Sequence, residues 1–296
     1  MENNFLDPLW RLNNLYKIKS KQSKIVTFNQ NIIQKQLNHP AKRKIILKAR
    51  QFGISTGELL RMFDKAIFTE NFVACVLAHE QDGIKKLFEI PKRAYQYMPD
   101  ELKPELGRGG GSKYAYEFPK LGSKIYADLE SRGDTINWLH VSEMAFVRDP
   151  ERVFATMEAV PLDGYITWES TPNGVGGEFY EKWQTPGNFE QFFFPWYLFP
   201  EYKIDCKKFT LTQDEKKLCE YALKVYGINL THQQIEFRRV KQLDLKHLFI
   251  QEYPENPESC FLSTGDAIFD LVHIRELLNE CPPPVDETDY LKVHGS

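Results

Sequence analysis

Five short apolar runs separated by stretches of helical pattern constrain this 296-residue chain more than any other feature. Lys44–Lys48 (KIILK), Phe72–Ala78 (FVACVLA), Trp138–Val141, Tyr165–Trp168 and Phe189–Phe194 read as buried strands, being short and rich in apolar residues. Helical patterns fall between them, over Thr56–Phe68, from about Gln81 to Tyr97, and from Pro150, where a helix can begin, to Val160. Tyr114–Phe118 and Lys124–Asp128 flank Pro119–Ser123 and read as a hairpin. Strands alternating with helices bury both faces of a sheet, which calls for parallel strands joined by crossovers. The expectation is an α/β fold, a mainly parallel sheet flanked by helices.

After Pro195 the character changes. Thr212–Tyr226, Thr231–Lys241 and Phe269–Glu280 read as helices, and no further strand pattern follows. Thr212 with Glu215, and Thr231 with Gln234, have the capping-box spacing, in which each residue's side chain bonds the other's backbone N–H. This divides the chain into a core over residues 1–200, a small helical subdomain over 201–282, and a linker over 283–296 that begins within the proline-rich Pro282-Pro283-Pro284. The Gly107–Gly111 stretch breaks the core pattern after the long helix.

Composition narrows the class. No run of about 18 uncharged apolar residues is present, so a membrane span is not expected. Met1–Trp10 lacks the basic start and apolar stretch of a secretory signal, which points to the cytoplasm. Five scattered cysteines without Cys-x-x-Cys spacing argue against structural zinc and a disulfide framework, and Cys75 reads as a core residue. A net charge of −3 makes no global electrostatic case for nucleic acid. The basic clusters Lys42-Arg43-Lys44, Lys85-Lys86 and Arg238-Arg239 with Lys241 read as solvated faces.

Three segments can carry chemistry. The first, Ala49–Thr56 (ARQFGIST), lies between a strand and a helix. A phosphate-binding loop needs backbone N–H groups at a helix start, a small residue, a hydroxyl for Mg²⁺ and a cation. Gly53, Ser55 and Thr56 suit those needs; Ile54 stands where a lysine is usual, so Lys48 and Arg50 are the nearest cations. A plain strand-turn-helix explains the segment as well. The second, Trp138–Glu143, is a strand ending in a carboxylate, suited either to a general base beside a γ-phosphate or to a surface or capping role. Ser142 stands where an aspartate usually precedes that glutamate, and His140 reads as a core histidine. The third, Glu169–Gly174 (ESTPNG), follows a strand, where open α/β sheets gather ligand contacts, although Pro-Asn-Gly is also simple turn chemistry. Arg132, in Ser131-Arg132-Gly133, is placed where an arginine could reach a phosphate.

Taken together, the order ARQFGIST, WLHVSEMAF (138–146), ESTPNG resembles the large terminase subunits, the DNA-packaging motors of tailed phages. Phe28, Asn29 and Gln30 sit upstream, like the family's adenine-contacting segment, and QIEFRR (234–239) with FIQEYPENPESCF (249–261) resembles its stretch between motor and nuclease. The resemblance implies a P-loop ATPase fold with an additional strand and a catalytic glutamate, and a lid-like helical subdomain. It implies ATP and Mg²⁺ as ligands. Gln30 would contact adenine; Lys48, Arg50, Gln51, Gly53, Ser55 and Thr56 would bind the nucleotide; Ser55 and Ser142 would attend the metal. Glu143 would activate water, Arg132 would complete a neighbouring subunit's site, and Ser170, Thr171 and Asn173 would couple hydrolysis to movement. The implied partners are double-stranded DNA, a portal ring, a small terminase subunit and further copies of the chain in a ring, all in the host cytoplasm. The family's nuclease domain would need about 150 further residues, so no nuclease activity is expected of this chain. A helicase-like motor and a non-hydrolysing nucleotide-binding assembly module are the alternatives.

Overall fold

The computed structural model describes residues 4–107, 113–131 and 133–262. A short antiparallel hairpin of β1 (Lys17–Lys19) and β2 (Ile25–Thr27) precedes a seven-stranded sheet. The sheet comprises β3 (Arg43–Lys48), β4 (Val73–Ala78), β5 (Ala115–Phe118), β6 (Ser123–Asp128), β7 (Trp138–Ser142), β8 (Tyr165–Ser170) and β9 (Glu190–Phe194). Their order is β5-β6-β4-β7-β8-β3-β9, parallel throughout except for β5 against β6. Every apolar run identified in the sequence is a strand of this sheet, and the Tyr114–Asp128 hairpin is its antiparallel edge.

Side chains alternate across a strand, and β3 shows the consequence. Ile45 and Leu47 join Cys75, Leu139, Val141 and Trp168 on one face, beneath Val153 of α5 (Glu151–Met157) and Phe179 of α6 (Gly177–Gln184). On the other face Ala74, Val76 and Ile125 pack beneath α3 (Ile54–Phe68) and α4 (Gln81–Tyr97) through Leu59, Phe63 and Phe88. Ile46 faces away from Ile45 and enters a third cluster with Phe52, Ile54, Phe194 and Trp196. That cluster extends to Leu218 of α7 (Gln213–Tyr226) and to Ile235 and Phe237 of α8 (His232–Leu245). The helical segment after residue 200 therefore shares one apolar core with the loop that follows β3.

Local signals account for the helix starts. Thr212 accepts from the Glu215 N–H while Glu215 bonds back, and Thr231 with Gln234 does the same. At the N-terminus, Arg11 of α1 (Pro8–Asn14) donates to both carboxylate oxygens of Asp64, at 2.9 and 2.7 Å, and the Tyr16 hydroxyl joins them at 2.5 Å. This buried network fastens α1 and Tyr16 to α3.

Two parts of the sequence reading change. The basic clusters are not uniformly solvated faces. Lys44 is buried and donates to the Leu37 carbonyl at 2.7 Å, and burial lowers its pKa to about 8. Lys44 lies within β3, which is buried on both faces, whereas Lys42 precedes the strand and stays exposed. Arg238 is likewise buried, bound to Glu255 at 2.7 Å and Asp214 at 2.8 Å. Several short elements also went unread: α1, the β1–β2 hairpin, α2 (Ile32–Gln36), α6, α9 (Leu248–Glu252) and α10 (Ser259–Leu262). The expected Phe269–Glu280 helix, the Pro282–Pro284 linker and most of the Gly107–Gly111 stretch lie outside the described residues. No helix is long and apolar enough to cross a membrane among the described residues.

Candidate active site at the ends of the parallel strands

Because β3, β7 and β8 run parallel and adjacent, their C-terminal ends open at one edge of the sheet, where a ligand site forms in such folds. The chain leaves β3 through a turn in which Gln51 and Gly53 both have left-handed backbone angles, φ 62° and 71°. Gly53 is the N-cap of α3 and provides no side-chain cap. The first N–H groups of a 15-residue helix therefore face the turn, an arrangement suited to phosphate.

Lys48, the last residue of β3, is buried and donates to Glu143 Oε1 at 2.6 Å, with Glu169 Oε2 3.8 Å away. Burial alone would lower the pKa of this amine. The carboxylates of Glu143 and Glu169 outweigh burial and hold it above the ordinary lysine value. Glu143, just past β7, adopts a left-handed backbone (φ 55°, ψ 49°), a conformation that costs a non-glycine residue of order 1 kcal/mol. Its Oε2 lies 3.3 Å from both the Ser170 hydroxyl and the Thr171 N–H. Asn173 donates to the Ala145 carbonyl at 2.9 Å and so ties the turn after β8 to the turn after β7.

Ser55 and Ser142 both donate to Glu169 Oε1, Ser142 at 3.2 Å. Glu169 is fully buried, and burial would raise its pKa. Lys48, His140 and Ser55 reverse that effect and hold it at about 2. His140 Nε2 lies 3.4 Å from Glu169 Oε1, behind the site. Two hydroxyls and a buried carboxylate are hard oxygen donors of the kind Mg²⁺ takes, and Glu169 Oε2 accepts no hydrogen bond, so the residues present fit the metal that the resemblance implies.

A cleft of about 340 Å³ opens beside the turn, lined by Asn29, Asn31, Gln34, Gln51, Gly53 and Thr56 among others. Asn31 and Gln34 grip the turn: Asn31 Nδ2 donates to the Phe52 carbonyl at 2.9 Å and Gln34 Nε2 to the Gly53 carbonyl at 2.6 Å. Gln30 is placed differently. It is buried in a reciprocal amide pair with Asn38 and also accepts from Asn13, so the cleft wall is formed by its neighbours. Arg50 points to the helical subdomain. Its N–H and guanidinium bond the Glu252 carbonyl and carboxylate at 2.9 and 2.8 Å, and its carbonyl accepts from the Tyr202 hydroxyl.

Most of the residues selected from the sequence therefore meet at one place: Lys48, Gly53, Ser55, Thr56, Ser142, Glu143, Ser170, Thr171 and Asn173. Gln30 and Arg50 are held elsewhere, and Arg132 lies outside the described residues. The sequence reading placed Glu169 in its third segment without giving it a role, and it missed Asn31, Gln34 and Glu252. A carboxylate inside the run Tyr165–Ser170 was the available signal for Glu169, because a buried charge requires partners. For Asn31 and Gln34 the signal was their capping-box spacing.

The inserted strand β8, lying between the loop-bearing β3 and the glutamate-bearing β7, gives the chain the P-loop ATPase fold with an additional strand. No protein-family model and no curated protein matches the chain. Among solved structures, it is similar in fold to the ATPase domain of the large terminase from Thermus phage P74-26. That match has 17% identity and a TM-score of 0.50, covering 77% of this chain and 94% of that one. It is also similar to the large terminase of the HK97 bacteriophage, with 11% identity and a TM-score of 0.58, covering 84% of this chain. The chain spans 54% of the length of the HK97 protein. At these identities the likeness is one of fold.

Proposed function

We propose that this chain is the ATP-hydrolysing motor domain of a phage large terminase, driving double-stranded DNA into a procapsid. The observation that carries the proposal is the convergence of Lys48, Ser55 and Glu143 beside a glycine-capped helix, within a fold shared with terminase ATPase domains. In this reading the α3 N-terminus, Gly53 and Lys48 hold the phosphates, and Ser55 and Ser142 attend the nucleotide's Mg²⁺, which neutralises phosphate charge when bound. The cleft beside Asn31 and Gln34 takes the base. Gln30 acts on that wall through the segment it anchors, and Gln51 and Thr56 complete the lining.

Glu143 orients the attacking water and accepts its proton. Ser170 and Thr171 contact Glu143, and Asn173 contacts the turn that follows it, which supports assigning these three to sensing loss of the γ-phosphate. Arg50 passes the turn's movement to the helical segment that follows residue 200 through Glu252. Arg132 is assigned to a neighbouring copy's site, in a ring that also engages a portal, a small terminase subunit and DNA in the host cytoplasm. The proposal gives DNA cleavage no place among these residues.

The test is ATP hydrolysis at high protein concentration with Mg²⁺, for wild type and Glu143→Gln. Loss of about 10²-fold or more in turnover, with nucleotide binding retained, supports the assignment. Nucleotide binding without turnover in either protein would favour a non-hydrolysing assembly module.

A further inference from the structure

We infer that Glu169 supplies the carboxylate that faces the nucleotide's Mg²⁺, having taken over from the neighbouring strand a task for which β7 offers only Ser142. The inference rests on the nucleotide-site reading above and assigns this residue a part in it.

A strand of this kind ends in Asp-Glu when one carboxylate serves the metal and the next serves the water; here it ends in Ser142-Glu143, and a serine hydroxyl brings no charge. The sheet register supplies a substitute. Ser142 and Glu169 are direct partners in the parallel pairing of β7 and β8, so their side chains leave adjacent strands at the same level. The two side chains touch, Ser142 Oγ donating to Glu169 Oε1 at 3.2 Å. Moving the charge sideways by one strand therefore leaves it at the same edge of the site.

The surroundings of Glu169 point the same way. Its Oε1 accepts from the hydroxyl of Ser55, the loop residue assigned to the metal. Its Oε2 is buried and accepts no hydrogen bond, and Lys48 Nζ pairs with it from 3.8 Å. A buried carboxylate oxygen whose ion-pair partner stands beyond hydrogen-bond reach keeps lone pairs for a further hard cation. His140 stands behind the carboxylate with Nε2 3.4 Å from Oε1, which makes it a positioning residue. Glu143 is committed differently, its two oxygens engaging Lys48, Ser170 and the Thr171 N–H. The two glutamates thus divide along different partners, one toward the loop hydroxyl and one toward the turn after β8.

A merely structural Glu169, serving as counter-ion to Lys48, would affect stability and leave metal dependence alone. The experiment therefore reads the gain in affinity for a fluorescent ATP analogue (mant-ATP) when Mg²⁺ replaces EDTA. It compares wild type, Glu169→Gln, and the relocated pair Ser142→Asp with Glu169→Gln. In Glu169→Gln the Mg²⁺-dependent gain is expected to fall by about tenfold or more, while metal-free affinity stays within about threefold. The relocated pair is expected to recover the gain, since it returns a carboxylate to β7. With Mn²⁺ in place of Mg²⁺, the electron paramagnetic resonance line shape of the bound ion is expected to change in Glu169→Gln and return in the pair.

An unchanged Mg²⁺-dependent gain in folded Glu169→Gln would overturn the inference while leaving the nucleotide site standing. If Glu169→Gln does not fold, the relocated pair decides: metal dependence like wild type supports the inference, and its loss overturns it. Wild type that binds no mant-ATP with or without metal would overturn the nucleotide-site reading itself.

Discussion

Lys48 Nζ lies 2.6 Å from Glu143 Oε1 and 3.8 Å from Glu169 Oε2, so a single buried ammonium serves two carboxylates, one just past β7 and one on β8. Removing one member of a buried ionic group leaves the others uncompensated, which costs about 3–5 kcal/mol. Lys48→Met is expected to lower unfolding free energy by about that amount in urea titrations and to abolish ATP turnover. Lys48→Arg keeps the charge and is expected to recover most of the stability. Its planar fork does not reproduce a point charge, so nucleotide affinity is expected to stay well below wild type. A Lys48→Met protein with wild-type stability would contradict this account of the triad.

The acid side of the stability profile follows from two carboxylates. Burial opposes ionisation of Glu169, but Lys48, His140 and Ser55 hold its pKa at about 2. The Arg239 hydrogen bond, together with the Thr212 cap, outweighs burial and holds Glu215 at about 2 as well. Both folded values lie below the unfolded value for glutamate, so each group's contribution is fully present above about pH 4.5. It is lost as the pH falls from there toward 2. Melting temperature measured from pH 6 to pH 2.5 should therefore drop across that window. Glu215→Gln should lie below wild type at neutral pH and converge with it at the acid end. Parallel curves would show that Glu215 has no depressed pKa in the folded chain.

The helical segment after residue 200 is held to the turn after β3 by stacked rings. Phe52 stacks on Tyr202 at 5.8 Å and tilts against Phe199 at 5.3 Å, and Tyr202 stacks on Phe237 of α8 at 4.9 Å. Phe52 is fully buried, so Phe52→Ala is expected to cost about 3–5 kcal/mol. The diagnostic readout is hydrogen exchange. Protection should fall in α7 and α8 as well as in the turn, because all three share one apolar cluster. A loss confined to residues 49–56 would mean that the subdomain is stable independently of the turn.

The parts of this molecule that were legible in the sequence are those written locally. Thr212 and Glu215 are three residues apart, and their reciprocal bonds follow from that spacing alone. The run FVACVLA can only be a buried strand or a short piece of buried helix, and its length decides between them. The β1–β2 hairpin left no such trace, because Lys17–Lys19 and Ile25–Thr27 are short and mostly exposed and so carry no burial pattern. The site divides in the same way. Gly53 and Ser55 stand at a helix start and Glu143 just past a strand end, boundaries that periodicity marks. Glu169 meets Ser55 across 114 residues and Arg50 meets Glu252 across 202, relationships set by strand order and subdomain docking. Gln30 illustrates the limit: its type and position suited a ligand contact, yet its amide is spent on Asn13 and Asn38.

Gly53 is where fold and site impose the same requirement. Its φ of 71° is strained for any residue with a Cβ, and a Cβ built there would lie 3.0 Å from Gln34 Nε2. That nitrogen already donates to the Gly53 carbonyl at 2.6 Å, so it cannot move aside without losing the bond. Gly53→Ala is therefore expected to cost about 1 kcal/mol from backbone strain, more if the Gln34 bond breaks. It should also weaken mant-ATP binding by about tenfold or more, because the strain tilts the first N–H groups of α3 away from the phosphate position. The double variant Gly53→Ala with Gln34→Ala separates the two effects. Removing the Gln34 side chain relieves the clash but not the positive φ, so part of the stability should return while nucleotide affinity stays low. If affinity returned as well, steric crowding by Gln34 rather than the direction of the helix N–H groups would be what Gly53 protects.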